Sequence, residues 1–151
     1  MKYFFFLLFI VAQVVACSFA LCQPVASKSE NTIVVRINGI KTQNGQVLLS
    51  LFKSPEGFPI HPEKAFKWGR AKVTASSIII SFNGLPPGTY AIAAVHDENS
   101  NEVMDTDWLG LPDEDYGVSN NVSSTLSPPK FEEAKFNFTG KRDTVMIEMK
   151  P

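Results

Sequence analysis

The sequence is poor in cysteine and histidine. Its two cysteines, Cys17 and Cys22, both lie in the N-terminal region, so the chain from Gln23 onward has no thiol. An internal disulfide and a catalytic thiolate are therefore excluded from that part of the chain. The only histidines are His61 and His96, and this number does not favour a zinc site, which takes three or four His, Cys or carboxylate ligands.

Recognisable catalytic motifs are also missing. The sequence contains neither G-x-S-x-G nor H-E-x-x-H, and nothing in it pairs a nucleophile with a base. His61 stands in a proline-rich segment, where we interpret it as a surface or packing residue. His96 ends a predicted strand, and we expect its ring to hold the following loop by a hydrogen bond. We predict that the protein is not an enzyme, with a hydrolase as the distant alternative.

Basic residues are absent between Lys72 and Lys130. Eight of the fifteen acidic residues fall inside this gap, all between Asp97 and Asp115. Such a block either repels itself into disorder or is held by cations, from solution or from elsewhere in the fold. The formal net charge is −1 at pH 7, which gives no basic face for nucleic acid.

The first 22 residues have the layout of a secretory signal peptide. Lys2 precedes an apolar stretch from Tyr3 to Ala16, which is shorter than the roughly 20 residues of a membrane span. We expect cleavage before Gln23 and a single domain over residues 31–151 that is secreted, or lies in the periplasm or cell envelope, without a membrane span. Alternatively, residues 14–17 resemble a lipobox, and Cys17 would then anchor the protein through a lipid.

The remaining sequence alternates between apolar and polar residues in short runs separated by turn signals. Seven strands are predicted: Thr32 to Asn38, Val47 to Phe52, Ala71 to Thr74, Ser77 to Phe82, Thr89 to His96, Lys135 to Phe138 and Thr144 to Met149. The turn signal at Asn44-Gly45 predicts a hairpin between the first two. This pattern indicates an all-β fold, an antiparallel β-sandwich of immunoglobulin-like or transthyretin-like form with one long, ordered acidic loop.

Period-two alternation also predicts which side chains face the interior of the sandwich. The predicted core consists of Ile33, Val35, Ile37, Val47, Leu49, Leu51, Ile78, Ile80, Phe82, Tyr90, Ile92, Ala94, Phe136, Phe138, Val145 and Ile147. Residues 53–70, rich in proline and aromatic side chains, do not fit a strand. We interpret them as an ordered crossover in which Phe58, Phe66 and Trp68 cover a sheet edge.

The second segment that does not fit is Asp97 to Lys130. Loops of this length are usually functional or disordered. Its apolar residues, Trp108, Leu109, Leu111 and Tyr116, argue for order because they can anchor the loop on the domain. We expect Trp108 to be buried under the loop; an exposed patch of Trp108 and Tyr116 would instead favour ligand binding.

The loop begins with a spacing of oxygen-bearing side chains that is typical of calcium sites. Asp97, Asn99, Asn101 and Asp105 occupy positions one, three, five and nine, and the Val103 carbonyl occupies position seven. Calcium accepts six to eight such oxygens. The sequence therefore predicts one calcium ion bound by these five residues.

Two features of the run weaken the calcium hypothesis. Position six is Glu102, where such loops prefer glycine for a sharp turn, and two of the ligands are neutral amides, which lowers affinity. The alternative is a metal-free turn, because Asn and Asp side chains readily bond their own backbone.

The run from Leu85 to Asn121, "LPPGTYAIAAVHDENSNEVMDTDWLGLPDEDYGVSNN", resembles a family of bacterial secreted proteins, domain of unknown function 2141. The resemblance is most specific at HDEN-x-N-x-x-x-D and the later G-x-P, Y-G and S-N-N elements. It implies export and a β-fold, but no reaction. Family members usually have glycine where this chain has Ser100 and Glu102.

Two functional hypotheses follow. In the first, the protein is a non-catalytic module of the cell envelope, stabilised by calcium, that binds a glycan, a peptide or a partner protein. In the second, it is an accessory domain of structural role whose acidic loop contains no metal. The Pro87-Gly88 turn before Tyr90 also looks like the strand entry of transthyretin-like modules, which implies binding or support instead of catalysis. We expect the Tyr90 ring to pack inside and its hydroxyl to find a backbone partner.

Overall fold

The computed structural model describes residues 31–109, 112–123 and 127–151. The predicted signal peptide, including Cys17, and Leu111 of the acidic loop lie outside these ranges. Eight strands form: β1 (Ile33–Asn38), β2 (Gln46–Phe52), β3 (Lys67–Lys72), β4 (Ile78–Phe82), β5 (Gly88–Asp97), β6 (Tyr116–Val118), β7 (Phe136–Phe138) and β8 (Asp143–Glu148). Short 3₁₀ helices lie at Pro62–Lys64 and Ser119–Asn121, and one helical turn, α1, at Phe131–Ala134. In the described ranges, no helix has the length and hydrophobicity needed to cross a bilayer.

The strands pair into two sheets, which confirms the predicted all-β sandwich. Sheet 1 has the order β4-β1-β8, and sheet 2 has the order β3-β2-β5-β6, with β7 pairing with the start of β5. Every pair is antiparallel except β1 with β8, which is parallel. The prediction of a purely antiparallel arrangement is therefore wrong at this one pair, where two strands distant in sequence meet.

The predicted hairpin between the first two strands is also wrong. β1 lies in sheet 1 and β2 in sheet 2, so the seven residues 39–45 carry the chain from one layer to the other. Within this connection Ile40 is 5% exposed and belongs to the core. Because this side chain is buried between the two sheets, its burial favours a connection that crosses between them over a tight hairpin turn. The predicted Asn44-Gly45 turn lies at the end of this connection, directly before β2.

The interior between the sheets contains all the predicted core residues except two. Phe136 and Val145 are only partly buried, although they pack against the core. Tyr90 is fully buried, and its hydroxyl donates a hydrogen bond to the Pro86 carbonyl over 2.7 Å, as predicted. Burial raises the pKa of Tyr90 above its ordinary value. Four further core residues come from the ends of strands or from connections: Ile40, Val73, Leu85 and Met149.

A second apolar cluster covers part of the outer face of sheet 2. It consists of Phe52, Ala91, Ala93, Val118, Phe131 and Ala134. The Phe58 ring packs edge-on against Phe52 at 5.3 Å and against Phe131 at 5.8 Å. Because α1 and the crossover lie on this face, β5 is buried on both sides from Tyr90 to Ala94, and simple alternation could not predict this second layer.

The crossover between β2 and β3 is shorter than predicted. β3 already begins at Lys67, so Trp68 belongs to a strand. Its side chain is 66% exposed, and its indole N–H donates to the Pro62 carbonyl over 2.8 Å. The centres of the Phe66 and Tyr90 rings lie 6.3 Å apart. The Lys53 ammonium lies 3.7 Å from the centre of the Phe66 ring. Phe58 and Phe66 therefore cover the sandwich, whereas Trp68 does not.

The Ser119-Asn120-Asn121 run connects three parts of the fold. The buried Ser119 hydroxyl accepts the Ile92 N–H at 2.9 Å and donates to the Ala134 carbonyl at 2.6 Å. The Asn120 amide donates to the carbonyls that end α1, and the Asn121 side-chain oxygen accepts the N–H of Glu148 at 2.8 Å. These contacts give the run a structural role.

Candidate functional site

The acidic loop leaves β5 at Asp97, whose side chain is completely buried on the outer side of sheet 2. One carboxylate oxygen accepts the Asn101 N–H at 3.1 Å. The other accepts the Glu102 N–H at 3.0 Å and the Gln46 side-chain amide at 2.9 Å. Asp97 therefore folds the start of the loop back over the end of the strand.

The other predicted ligands meet around Asp105. Its two carboxylate oxygens accept the Asn99 and Asn101 side-chain amides at 2.6 Å and 3.1 Å. The amide oxygens in turn accept backbone N–H groups: Asn99 accepts that of Asn101 at 3.0 Å, and Asn101 accepts that of Val103 at 2.8 Å. The structure thus brings the four predicted side chains together in one hydrogen-bonded turn, in which Val103 takes part through its N–H.

Glu114 also lies in this cluster, and sequence analysis missed it. The antiparallel β5–β6 register pairs Val95 with Tyr116. Asp97 lies two residues after Val95 and Glu114 lies two residues before Tyr116, so the same register places Glu114 opposite Asp97. The Glu114 side chain is buried, and its two oxygens accept the backbone N–H groups of Glu98 at 3.2 Å and Asp105 at 3.3 Å. One carboxylate thereby fastens the beginning and the middle of the loop. The sequence shows an acidic residue two positions before Tyr116, but its place beside Asp97 can be identified only once the register of β5 and β6 is known.

The environments of Asp97 and Glu114 shift their pKa values in opposite directions. Burial raises the pKa of Asp97, but the hydrogen bonds from Gln46 and from three loop N–H groups outweigh it, so this pKa lies below its ordinary value. Burial also raises the pKa of Glu114. There the two backbone hydrogen bonds lower it, the charges of Asp97 and Asp105 raise it further, and the net shift is upward.

The carboxylates of Asp97, Asp105 and Glu114, at the centre of the loop, form no ion pair with a lysine or arginine of the described residues. The loop's basic contacts involve peripheral acids instead. Arg70 pairs with Glu102 at 2.7 Å, and Lys41 pairs with Asp115 at 3.0 Å. Basic side chains from β3 and from the β1–β2 connection therefore reach the acidic block, but they do not neutralise its centre.

Two loop residues have the left-handed backbone conformation that favours glycine. Ser100 has φ of 61° and Glu102 has φ of 63°, and these are the two positions at which the family resemblance implied glycine. The loop therefore keeps its left-handed turns without glycine, at a cost in backbone strain.

Gly45 allows the turn before β2 to approach this loop. Its φ is 64°, and a Cβ atom placed there would lie 1.9 Å from the Asp97 carbonyl oxygen. No side chain fits at that distance, so the Asn44-Gly45 turn serves close packing against the exit of β5.

His96 does not hold the acidic loop through its ring, which corrects the expectation for this residue. The ring is fully buried, and its Nε2 atom lies 3.0 Å from the Asn44 carbonyl, in the connection before β2. The nearest loop carboxylate to its Nδ1 atom is that of Glu98, at 3.7 Å. This nitrogen makes no hydrogen bond to the described residues, and the hydrogen bond from His96 to the loop comes from its backbone N–H, which donates to the Asp115 carbonyl at 2.8 Å.

The expectation that Trp108 is buried is wrong. Trp108 is 90% exposed and Leu109 is 61% exposed. Both lie in the turn between Thr106 and Pro112, which pair in an isolated antiparallel bridge, and the Asp107 side chain accepts the Leu109 N–H at 2.8 Å. The loop is anchored by buried carboxylates, and these apolar side chains project outward. Tyr116 lies on the sheet, half-buried.

The acidic loop could bind calcium only through a combination of amide and carboxylate oxygens. Among the described residues, no group of three or more His, Cys, Asp or Glu side chains is placed to hold a metal ion. A cage at this loop would therefore need the amide oxygens of Asn99 and Asn101 beside the carboxylates of Asp97 and Asp105. In the described geometry both amides present nitrogen to Asp105, so cation binding requires these two side chains to rearrange.

Taken together, the fold and the loop define a β-sandwich module with an acidic loop closed over one end of sheet 2. The chain belongs to the DUF2141 family, described as uncharacterized proteins conserved in bacteria, whose family model matches residues 35–146. No curated protein and no solved structure matches the chain significantly.

Proposed function

We propose that the protein is an exported, non-catalytic binding module of the bacterial cell envelope whose acidic loop binds one calcium ion. The observation that carries this proposal is the convergence of Asp97, Asn99, Asn101 and Asp105 in one turn, beside the buried carboxylate of Glu114. A cation would relieve the repulsion among the carboxylates of Asp97, Asp105 and Glu114, which form no ion pair with a lysine or arginine of the described residues. Export is supported by the layout of residues 1–22.

The surroundings of the two histidines support the hypothesis that the protein is not a catalyst. His96 is fully buried with one ring nitrogen at the Asn44 carbonyl, so it cannot meet a substrate without unfolding the end of β5. His61 is exposed, and its ring lies 3.1 Å from Glu63 on the surface of the crossover. Among the described residues, neither ring is hydrogen-bonded to a serine, threonine or cysteine side chain, the arrangement in which a base activates a protein nucleophile.

Calcium should raise the melting temperature of the mature protein. A ligand that binds only the folded state adds RT ln(1 + [L]/Kd), about 2.7 kcal/mol at a hundredfold excess over Kd. With few carboxylates we expect a Kd on the order of 10⁻⁴–10⁻³ M. Magnesium should stabilise less, because it demands a tighter octahedral geometry.

The measurement is a thermal melt in millimolar calcium, in magnesium and in chelator. Asp97→Ala should abolish the calcium response, whereas Asp113→Asn, which changes an exposed acid of the same loop, should keep most of it. Intact mass of the exported protein tests localisation: we expect Gln23 as first residue, and a lipid-modified Cys17 would show the anchored form instead.

One observation favours the structural alternative. The hydrogen bonds from Asn99 and Asn101 to Asp105 already close the turn without a cation. If wild-type protein melts at the same temperature in calcium and in chelator, the loop is a metal-free structural element.

A further inference from the structure

Two strand edges lie together on one side of the sandwich. On the opposite side the two sheets are joined, because Tyr116 of β6 pairs with Lys150, just beyond β8, in an isolated bridge. The remaining edges belong to β3 in sheet 2 and β4 in sheet 1, and within the described ranges each of these strands has a single partner strand. The two strands lie against each other, since a Cβ atom placed at Gly69 would be 2.9 Å from the Ile80 side chain.

Strand β1 divides its backbone hydrogen bonds between its two neighbours. The carbonyls of Thr32 and Asn38 each accept an N–H group from the β8 segment at 3.0 Å. Alternate residues of a strand direct their backbone groups to the same side. The even-numbered residues of β1 therefore bond to β8, and its odd-numbered residues bond to β4.

The same alternation shows which backbone groups of β4 face away from β1. The register pairs Val35 with Ile80, so Ile80 bonds to β1, and its neighbours Ile79 and Ser81 direct their N–H and C=O groups to the outer edge. Among the described residues, no further backbone group bonds to these edge groups. Both side chains are exposed, that of Ile79 by 52%. The edge of β4 therefore presents donors and acceptors that the sheet does not use.

Strand β4 lacks the features that usually keep an edge strand from pairing. Its sequence, Ile-Ile-Ile-Ser-Phe, has no charged residue, no proline and no glycine, and native proteins place such residues along their exposed edges. Strand β3 differs, because Lys67, Arg70 and Lys72 lie along it. An incoming strand can therefore pair with β4 without meeting a charge on that strand.

The edge of β4 is complementary to a second copy of itself. When two β4 strands align antiparallel with Ile80 opposite Ile80, Ile79 of each copy lies opposite Ser81 of the other. Because these residues have the outward backbone groups, each such pair exchanges both of its N–H···O bonds. The central Ile80 pair is then a pair without hydrogen bonds, in which the two side chains approach most closely.

The side chains that meet in this register are apolar or small. Ile79 lies on the outer face of sheet 1, and the two Ile79 side chains become diagonal neighbours across the pair. On the inner face, Ile78 of one copy lies opposite Phe82 of the other. A symmetric pairing of β3 would instead bring basic side chains of the two copies close together, which is unfavourable.

Pairing through β4 closes the assembly at two copies. Under two-fold symmetry both copies use the same edge, so no further copy can add there. Lys67 limits the length of the pairing, because its ammonium already donates to the Asn83 carbonyl at 2.7 Å, just beyond β4. The contact is therefore short, which is typical of a small interface that dissociates readily.

We propose that the protein forms a two-fold dimer by antiparallel pairing of β4 with β4 of a second copy. The two copies of sheet 1 then form one continuous sheet with the order β8-β1-β4-β4-β1-β8. This self-association goes beyond the proposed calcium binding, because β4 belongs to the sheet opposite the acidic loop.

The test is sedimentation equilibrium of the mature protein from about 10 µM to 1 mM, a range suited to a small interface. Wild type should pass from monomer to dimer. Ile79→Lys should raise the dimer Kd about tenfold or more, because it places two ammonium groups at diagonal positions. Trp68→Lys is the matched control: it adds the same charge at an exposed aromatic of the β3 edge and should leave the Kd unchanged.

A second variant tests the backbone hydrogen bonds. Ile79→Pro removes an N–H that faces outward, a position where an edge strand tolerates proline, and it should also prevent dimerisation. Hydrogen exchange of wild type locates the contact without any variant, because the amides of Ile79 and Ser81 should exchange more slowly as the protein concentration rises.

Three results would overturn the proposal. The first is wild-type protein that stays monomeric throughout the range. The second is Ile79→Lys protein that dimerises as tightly as wild type, and the third is a dimer in which the Ile79 and Ser81 amides exchange as fast as in the monomer. Carrying out these measurements in chelator keeps their outcome independent of calcium binding.

Discussion

Ser100 adopts a left-handed backbone conformation in the acidic loop, with φ of 61°, and its replacement by glycine should stabilise the protein. For a residue with a Cβ atom this conformation costs about 1–2 kcal/mol. Glycine avoids that cost but has more freedom in the unfolded chain, which offsets about 0.4–1 kcal/mol. The net gain in the free energy of unfolding should be about 0.5–1 kcal/mol, or roughly 2–5 °C in melting temperature.

The backbone contacts of Ser100 permit this substitution. Its N–H contributes to the hydrogen bonds that lower the pKa of Asp97, and glycine keeps that N–H. The same change at Glu102 would also remove its ion pair with Arg70. That pair is exposed and worth little, yet its loss would obscure the result, so Ser100 is the cleaner position.

The assay is thermal and urea unfolding of Ser100→Gly beside Ser54→Gly, which changes an exposed serine whose φ is negative. The control should lose stability or stay unchanged, because glycine there only adds freedom to the unfolded chain. If both variants are destabilised equally, Ser100 does not carry left-handed strain, and the described loop geometry is wrong at this turn.

Three further predictions concern packing and charge. Gly45→Ala should destabilise the protein by clearly more than Gly84→Ala in urea unfolding, because both residues have positive φ but only Gly45 would place a Cβ atom against the Asp97 carbonyl; equal costs would refute the close approach. Phe138→Ala should cost about 3–5 kcal/mol, since that ring is 2% exposed, and Phe136→Ala should cost less because its ring is only partly buried; the reverse order would contradict the deeper burial of Phe138. Because the pKa of Asp97 is lowered in the folded state, its contribution to stability is present above its unfolded pKa of about 3.9 and is lost as pH falls through the folded value. Asp97→Asn should therefore be less stable at pH 7 and show a shallower loss of stability below about pH 4, and parallel pH profiles for the two proteins would contradict this.

Much of the sandwich is determined by local sequence. The alternation of Ile33, Val35 and Ile37 predicts one buried face because successive side chains on a strand point to opposite sides. The same rule predicts the inner faces of β2, β4 and β5, and it accounts for most of the core. The oxygen spacing from Asp97 to Asp105 is also visible in the chain, because all its members lie within nine residues, and the structure brings these side chains together.

Contacts between segments distant in sequence were decided only by the tertiary structure. Alternation cannot say which strands share a sheet, so the parallel pairing of β1 with β8 and the placement of β1 and β2 in opposite layers were not predicted. Glu114 lies beside Asp97 and Asp105 only because β6 pairs with β5 in one particular register. Trp68 and Tyr116 come to lie on one face for the same reason, since a one-residue shift in either pairing would send a side chain to the other side of the sheet.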